Sequence, residues 1–211
     1  MTYCVGMMVD KGLVLMSDTR TNSGVDNISV FRKMFTWNVP GERIITVMTA
    51  GNLATTQAVV SQLEERMKAP DERDNVLLKS PTMFQVATEI GKLLWTIIAD
   101  RQEANGVKGR GRFTASIIVA GQIAGMEPRL FMVYPEGNFI EASHDTPFFQ
   151  IGETKYGRPI ILRGYDREMS MEDAVKLLMV SFDSTLKANL SVGLPLDLMV
   201  IPRDPFEASH T

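Results

Sequence analysis

Cysteine and histidine are nearly missing from this sequence of 211 residues. Cys4 is the single cysteine, so an internal disulfide is excluded, and with it a small secreted scaffold held by disulfides. The two histidines are His144 and His210, which are too few for a Cys/His zinc cluster. We therefore predict that the protein has no metal centre and uses no cofactor.

The sequence also lacks an excess of positive charge and a long apolar run. Lys and Arg number 22 against 25 Asp and Glu, a net charge of -3, whereas nucleic-acid binding relies on a basic excess. The basic, glycine-rich segment 106–112 is typical of a solvated loop. Asp10 and Lys11 interrupt the first apolar stretch, which excludes a signal peptide. We expect a cytoplasmic protein without nucleic-acid or membrane partners.

Strand and helix patterns occur in separate runs rather than in strict alternation. Strand patterns cover residues 3–9, 13–16, 28–37, 43–49, 115–120, 130–134, 139–142, 148–151 and 196–201. Helical spacing covers residues 53–67, 84–98 and 171–186, the last capped by Ser170. We predict one α+β domain over residues 1–211, with the strands after residue 115 in a second sheet and helices outside the packed sheets.

Thr2 is the first residue that could carry out catalysis. If Met1 is removed, Thr2 gains a free α-amine with an ordinary pKa of about 7.7–8.0, which can accept the proton of its own hydroxyl. The small side chain of Thr2 permits such removal. Because any chain beginning Met-Thr has this property, the pattern alone favours an ordinary strand residue.

Asp18 and Lys33 add charge near Thr2. Antiparallel pairing of the first two strands returns Asp18 toward Thr2. Lys33 stands in SVFRKMFTW, the interior of a predicted strand. A buried Lys33 paired with Asp18 would lower the pKa values of the Thr2 hydroxyl and amine, whereas an exposed Lys33 would protect a sheet edge. The spacing leaves both alternatives open.

The turn TAGN joins a predicted strand to a helix. Gly51 lets a substrate carbonyl approach unpaired backbone N–H groups, which would form an oxyanion site. Such a turn is more commonly a helix cap. Taken alone, TAGN favours the cap.

Taken together, these segments resemble a known family. Thr2, SDTRTN, FRKM and TAGNLATTQAVV are similar to the pattern of proteasome β-subunits and HslV, and more closely to the bacterial ancestral β-subunits known as Anbu. The likeness continues through QIGETKYGRPI and SFDSTLKANLSVGLPLD, so it covers nearly the whole chain.

The resemblance implies a four-layer αββα sandwich, an N-terminal nucleophile hydrolase of the threonine-peptidase type, and self-assembly into a ring or helix. It implies a peptide or protein substrate, and ATP-grasp-like and transglutaminase-like proteins as partners. It implies these roles: Thr2 as nucleophile and base, Lys33 to tune its pKa, Asp18 to orient Lys33, Gly51 as oxyanion donor, Ser191 near the amine, and Arg20 in support of the Asp18 turn.

Two positions depart from the family pattern. Where an aspartate usually precedes the serine by three residues, this chain has Ala188, followed by Asn189. Where a turn often carries a serine, it has Glu153. Either departure would weaken peptidase activity or redirect it toward another amide.

Three alternatives compete with a peptidase. One is a non-catalytic assembly subunit, which the presence of Thr2, Asp18 and Lys33 disfavours. Another is an amidase of the same superfamily acting on a small peptide-like metabolite. A Ser-His-Asp hydrolase is the weakest, because Ser143, His144 and Asp145 are adjacent and their side chains alternate in direction.

Overall fold

The computed structural model describes residues 2–22, 28–68, 76–104 and 113–203. The predicted loop at 106–112 and His210 lie outside these ranges. The strands are β1 (Tyr3–Val9), β2 (Gly12–Asp18), β3 (Arg20–Asn22), β4 (Ile28–Val30), β5 (Met34–Val39), β6 (Arg43–Gly51), β7 (Ala115–Ile123), β8 (Arg129–Val133), β9 (Phe139–Glu141), β10 (Phe148–Gly152) and β11 (Leu196–Pro202). The helices are α1 (Leu53–Lys68), α2 (Val76–Lys79), α3 (Met83–Ala104), α4 (Arg158–Gly164) and α5 (Met171–Ala188).

Two antiparallel sheets carry the fold. Strands follow the order β10-β1-β2-β11 in one sheet and β5-β6-β7-β8-β9 in the other, and β3 and β4 form a separate ribbon. The predicted hairpin is present, since β1 pairs with β2 in a register that places Val9 opposite Gly12 and Cys4 opposite Ser17. The far end of β2, and with it Asp18, therefore lies beside the start of β1.

Three apolar clusters separate four layers. Cys4, Leu15 and Met48 belong to the cluster between the two sheets. The second cluster packs α1 and α3 against the β5–β9 sheet, and the third packs α5 against the β1 sheet through Tyr3 and Phe182. Successive residues of a strand point to opposite faces, so Tyr3 faces the helix while Cys4 faces the other sheet. The predicted αββα sandwich is confirmed.

The strand predicted over residues 28–37 is wrong, because it is divided between β4 and β5. The Phe31 N–H donates to the Thr19 carbonyl over 2.8 Å, and the Lys33 carbonyl accepts from the Thr49 N–H over 3.0 Å. The backbone thus leaves the ribbon at Phe31 and joins the second sheet beyond Lys33. Lys33 lies in this crossing and not in a strand interior.

The separate second sheet predicted after residue 115 is also wrong. Strands β7 to β9 extend the sheet that β5 and β6 begin, while β10 pairs with β1. Helices α2 and α4, of 4 and 7 residues, were not predicted because they are too short to show a periodic pattern.

The predicted cap of α5 is confirmed. The Ser170 Oγ accepts from the Asp173 N–H over 3.0 Å and occupies the N-cap position. None of the described helices is both long and apolar enough to cross a membrane.

A buried hydroxyl on β1 makes stability sensitive to alkaline pH. The Tyr3 hydroxyl lies 2.6 Å from the Ser181 Oγ and accepts from the Gln150 Nε2 over 2.6 Å. Desolvation of this fully buried ring raises the pKa of Tyr3 from 10.0 to about 12. The protonated phenol therefore stabilises the fold below the unfolded pKa, and this contribution is lost as pH rises from about 10 to about 12.

We expect Tyr3→Phe to lower the free energy of unfolding at neutral pH by about 1–3 kcal/mol, because Gln150 loses a buried acceptor. Between about pH 10 and pH 12, the free energy of unfolding of the native protein should fall by about 3 kcal/mol more than that of the variant, so the difference in stability between the two proteins becomes smaller. Urea unfolding of both proteins across this pH range measures the two effects. Parallel loss in the two proteins would contradict the assignment to Tyr3.

Candidate active site

The Asp18 carboxylate is the most heavily hydrogen-bonded group of the site. Its Oδ1 accepts from the Tyr3 N–H over 2.9 Å and from the Lys33 Nζ over 2.7 Å. Its Oδ2 accepts from the N–H groups of Arg20 and Gly193, each over 3.2 Å. The residue is 0% exposed. Four donors from four parts of the chain therefore fix a buried negative charge beside Thr2.

Lys33 is buried and paired. It is 5% exposed, and its Nζ donates to Asp18 and, over 2.6 Å, to the Arg20 carbonyl. Burial of this kind excludes the alternative in which Lys33 protects a sheet edge. The lysine also lines the same cavity as Thr2, so its charge lies in the wall of a space that a ligand can enter.

This cavity measures about 380 Å³, a volume suited to a substrate side chain and the adjoining backbone. The predicted residues in its wall are Thr2, Lys33 and Gly51. Arg32 and Gln57 also line it, and neither was among the predicted site residues. Arg32 stands next to Lys33 in the chain, and this proximity was the one available signal.

The backbone around Thr2 is fixed on both sides. The Thr2 carbonyl accepts from the Glu153 N–H over 2.6 Å, while the following N–H, of Tyr3, donates to Asp18. Gly152 has φ +84°, and a Cβ there would collide with the Thr2 carbonyl. The half-buried Thr2 side chain is thereby held at the cavity.

TAGN supplies both a cavity wall and a helix cap. Gly51 is exposed at the cavity with φ +114°, and a Cβ there would lie 2.5 Å from the Thr114 carbonyl oxygen. The cap is the next residue, because the Asn52 Oδ1 accepts from the Thr55 N–H over 3.0 Å. The candidate oxyanion donor, Gly51, and the helix cap, Asn52, are therefore adjacent residues of the same turn.

Glu153, one of the two departures from the family pattern, contacts Asn189, the residue that follows the other departure. The Asn189 Nδ2 donates to the Glu153 Oε2 over 2.7 Å, and the Asn189 Oδ1 accepts from the Ser191 N–H over 2.9 Å. Ala188 is exposed. The Glu153–Asn189 contact thus joins the turn after β10, whose Glu153 N–H donates to the Thr2 carbonyl, to the end of α5.

Arg20 contacts the same loop as Ser191. Its Nη1 donates to the Leu190 carbonyl over 3.0 Å, and its guanidinium packs on Gly193, where a Cβ would collide with it. The Arg20 backbone also donates to Asp18. Ser191 is partly buried and does not line the cavity within the described part of the chain.

The Ser-His-Asp alternative has no geometric support. The His144 Nδ1 and the Asp145 Oδ1 are 3.9 Å apart on largely exposed side chains, and the Ser143 Oγ accepts from the Thr146 N–H. Among the described residues, no group of His, Cys, Asp and Glu could hold a metal ion.

Two sheets between helical layers, with residue 2 at a cavity lined by a buried lysine that pairs with an aspartate, define the N-terminal nucleophile hydrolase fold class. The family model for the proteasome subunit matches residues 2–201, and the chain belongs to that family. The proteasome subunit beta of Methanopyrus kandleri is 25% identical over 206 residues, which are 96% of this chain and 88% of the relative.

Among solved structures, the chain is similar to Anbu, the ancestral beta-subunit, as the sequence pattern predicted. Anbu from Yersinia bercovieri is 46% identical with a TM-score of 0.87, over 97% of this chain and 83% of that chain. The helical assembly of the Anbu complex from Pseudomonas aeruginosa is 44% identical with a TM-score of 0.89, again over 97% and 83%.

Proposed function

We propose that this protein is a threonine-type N-terminal nucleophile hydrolase that cleaves amide bonds in peptides. Thr2, exposed by removal of Met1, is both nucleophile and base. The observation that carries the proposal is that Lys33, paired with the buried Asp18 over 2.7 Å, lines the same cavity as Thr2. Burying two charges is costly and apolar residues would serve packing as well, so the pair favours a catalytic role.

In the proposed reaction, the Thr2 Oγ attacks the substrate carbonyl while the α-amine accepts the hydroxyl proton. The Lys33 ammonium stabilises the developing alkoxide, and the Gly51 N–H donates to the oxyanion. The amine then passes the proton to the leaving amide nitrogen, the C–N bond breaks, and an ester on Thr2 remains. Water hydrolyses the ester with the same amine as base.

Covalent labelling of Thr2 tests the proposal. The intact mass of the protein, measured after exposure to a peptide epoxyketone, should show loss of Met1 and one adduct. A retained Met1 would leave Thr2 without its base and would favour the non-catalytic assembly subunit. A processed protein that never forms the adduct would contradict the assignment of Thr2 as nucleophile.

We further propose that the chain self-assembles, as the Anbu complex of Pseudomonas aeruginosa does in its helical assembly. Exposed apolar side chains support this proposal. Leu190 and Leu194 are 84% and 63% exposed, and Leu198 is 47% exposed on β11, an edge strand. Partners of the ATP-grasp-like and transglutaminase-like kinds stay predictions, as does the cytoplasmic location.

The Glu153–Asn189 contact should matter for rate more than for stability. We propose that it places the Ser191 loop against the turn that binds the Thr2 carbonyl, so that the α-amine is held in position. Asn189→Ala and Glu153→Ala should each lower kcat/KM about tenfold, and the double variant should be no slower than either, because the residues act as a unit. Steady-state kinetics with pH profiles measure this.

Lys187→Ala is the matched control for this cycle. It removes an exposed ion pair with Asp183, 2.8 Å long, near the end of the same helix. Its activity should equal that of the native protein. Multiplicative losses in the Glu153/Asn189 double variant would show that the two residues act independently, against the proposal.

A further inference from the structure

The cavity beside Thr2 carries a positive charge that no described acidic residue offsets. Two of its lining side chains are cationic, Arg32 and Lys33, and none of its described lining residues is Asp or Glu. The Lys33 charge is matched by Asp18. Arg32 is exposed, and within the described residues it has no hydrogen bond or ion pair. The net charge of the cavity wall therefore comes from Arg32.

We propose that this cavity selects peptides with a glutamate or aspartate side chain next to the scissile bond, and that Arg32 binds its carboxylate. The inference rests on the proposed function, of which it names the substrate class. A guanidinium is a planar fork of donors that matches a carboxylate, and it keeps its charge at all relevant pH values.

The other lining residues fit an acidic side chain with a short apolar stem. Thr21 and Gln57 offer further polar groups, while Phe35 and Leu53 offer apolar contact for methylene groups. A purely apolar substrate side chain would cover Arg32 and remove water from its charge without supplying a partner, which costs free energy. An acidic side chain supplies that partner, so the charge of Arg32 favours it.

A binding experiment on the full-length Thr2→Ala variant tests the inference, because that variant cannot react. Fluorescent peptide amides with blocked ends that differ only as Glu or Gln at one position are titrated, with fluorescence anisotropy as the readout. We expect the Glu peptide to bind on the order of tenfold more tightly at low salt, with a difference that shrinks as salt screens the pair.

Substitutions of Arg32 assign the preference to its side chain. Arg32→Gln in the same background should bind both peptides equally, and Arg32→Lys should restore part of the preference. Arg163→Gln, at an exposed arginine of α4 outside this cavity, should leave the preference intact. Equal affinity for the Glu and Gln peptides in the Thr2→Ala protein, or an unchanged preference in Arg32→Gln, would overturn the proposal.

A third peptide distinguishes binding of a side-chain carboxylate from binding of a C-terminal carboxylate. It carries Gln at the variable position and a free C-terminal carboxylate. If it binds as tightly as the Glu amide, the cavity recognises the C-terminal carboxylate of a peptide. That result would overturn the proposed selection of an acidic side chain. Because the binding experiment needs no hydrolysis, its outcome is independent of the epoxyketone adduct. An absent adduct contradicts the proposed function. Equal affinity for the Glu and Gln peptides contradicts the acidic preference.

Discussion

Thr2→Ala should lower amide hydrolysis by on the order of 10³-fold or more and abolish the epoxyketone adduct. The substitution removes the attacking hydroxyl and leaves the backbone contacts of residue 2 intact, since these involve its carbonyl and the N–H of Tyr3. The melting temperature should therefore stay close to the native value. Peptide-amide hydrolysis and intact mass, measured on the same preparations, give the two readouts.

Two further variants test the roles of the hydroxyl and the amine separately. Thr2→Ser keeps both groups and should retain part of the rate. An alanine inserted between Met1 and Thr2 keeps the Thr2 hydroxyl but places its nitrogen in a peptide bond, so activity should fall as far as in Thr2→Ala. Native-like hydrolysis by Thr2→Ala would locate the reaction at another residue.

Lys33→Met should be the most destabilising single substitution at the site. It leaves the Asp18 carboxylate buried at 0% exposure without its cationic partner and removes the donor to the Arg20 carbonyl. Breaking a buried ion pair in this way costs about 3–5 kcal/mol. For a chain of this length, that lowers the melting temperature by about 6–20 °C, and hydrolysis should also be lost. Thermal unfolding and hydrolysis assays measure the two effects.

Lys92→Met provides the matched control. Lys92 forms a 2.6 Å ion pair with Glu89, but their side chains are 67% and 36% exposed, so we expect a change of about 0.5 kcal/mol or less. Adding Asp18→Asn to Lys33→Met should recover part of the lost stability, since the uncompensated buried charge is gone but an NH₂ group replaces an oxygen that accepts from backbone N–H groups. Activity should stay lost. A Lys33→Met protein as stable as the native one would contradict the prediction, because it would show that the Asp18 carboxylate does not need Lys33 as its partner.

The local parts of the fold could be predicted from the sequence because their signals lie close together in the chain. The β1–β2 hairpin follows from two apolar runs around Asp10 and Gly12, and it places Asp18 near Thr2. The cap of α5 follows from Ser170. The family resemblance, which adds the αββα layers, agrees with the family and structural comparisons.

Other features depend on contacts between distant segments. The sequence left the burial of Lys33 open, and the crossing between β4 and β5 decided it by placing Nζ against Asp18. The Glu153–Asn189 contact joins residues 36 positions apart. In the sequence, Glu153 is a departure from the family pattern and Asn189 is only the neighbour of the other departure, Ala188, but in the fold Glu153 and Asn189 form one hydrogen-bonded unit.

The sequence by itself determined the strands and helices with clear periodicity, the family, and the candidate residues from Thr2 to Ser191. Only the tertiary structure decided that β10 pairs with β1, that Asp18 receives four donors, and that Arg32 lines the cavity. The reason is physical: periodicity reports which face of an element is buried, whereas pairing partners and cavity walls are set by packing between elements far apart in the chain.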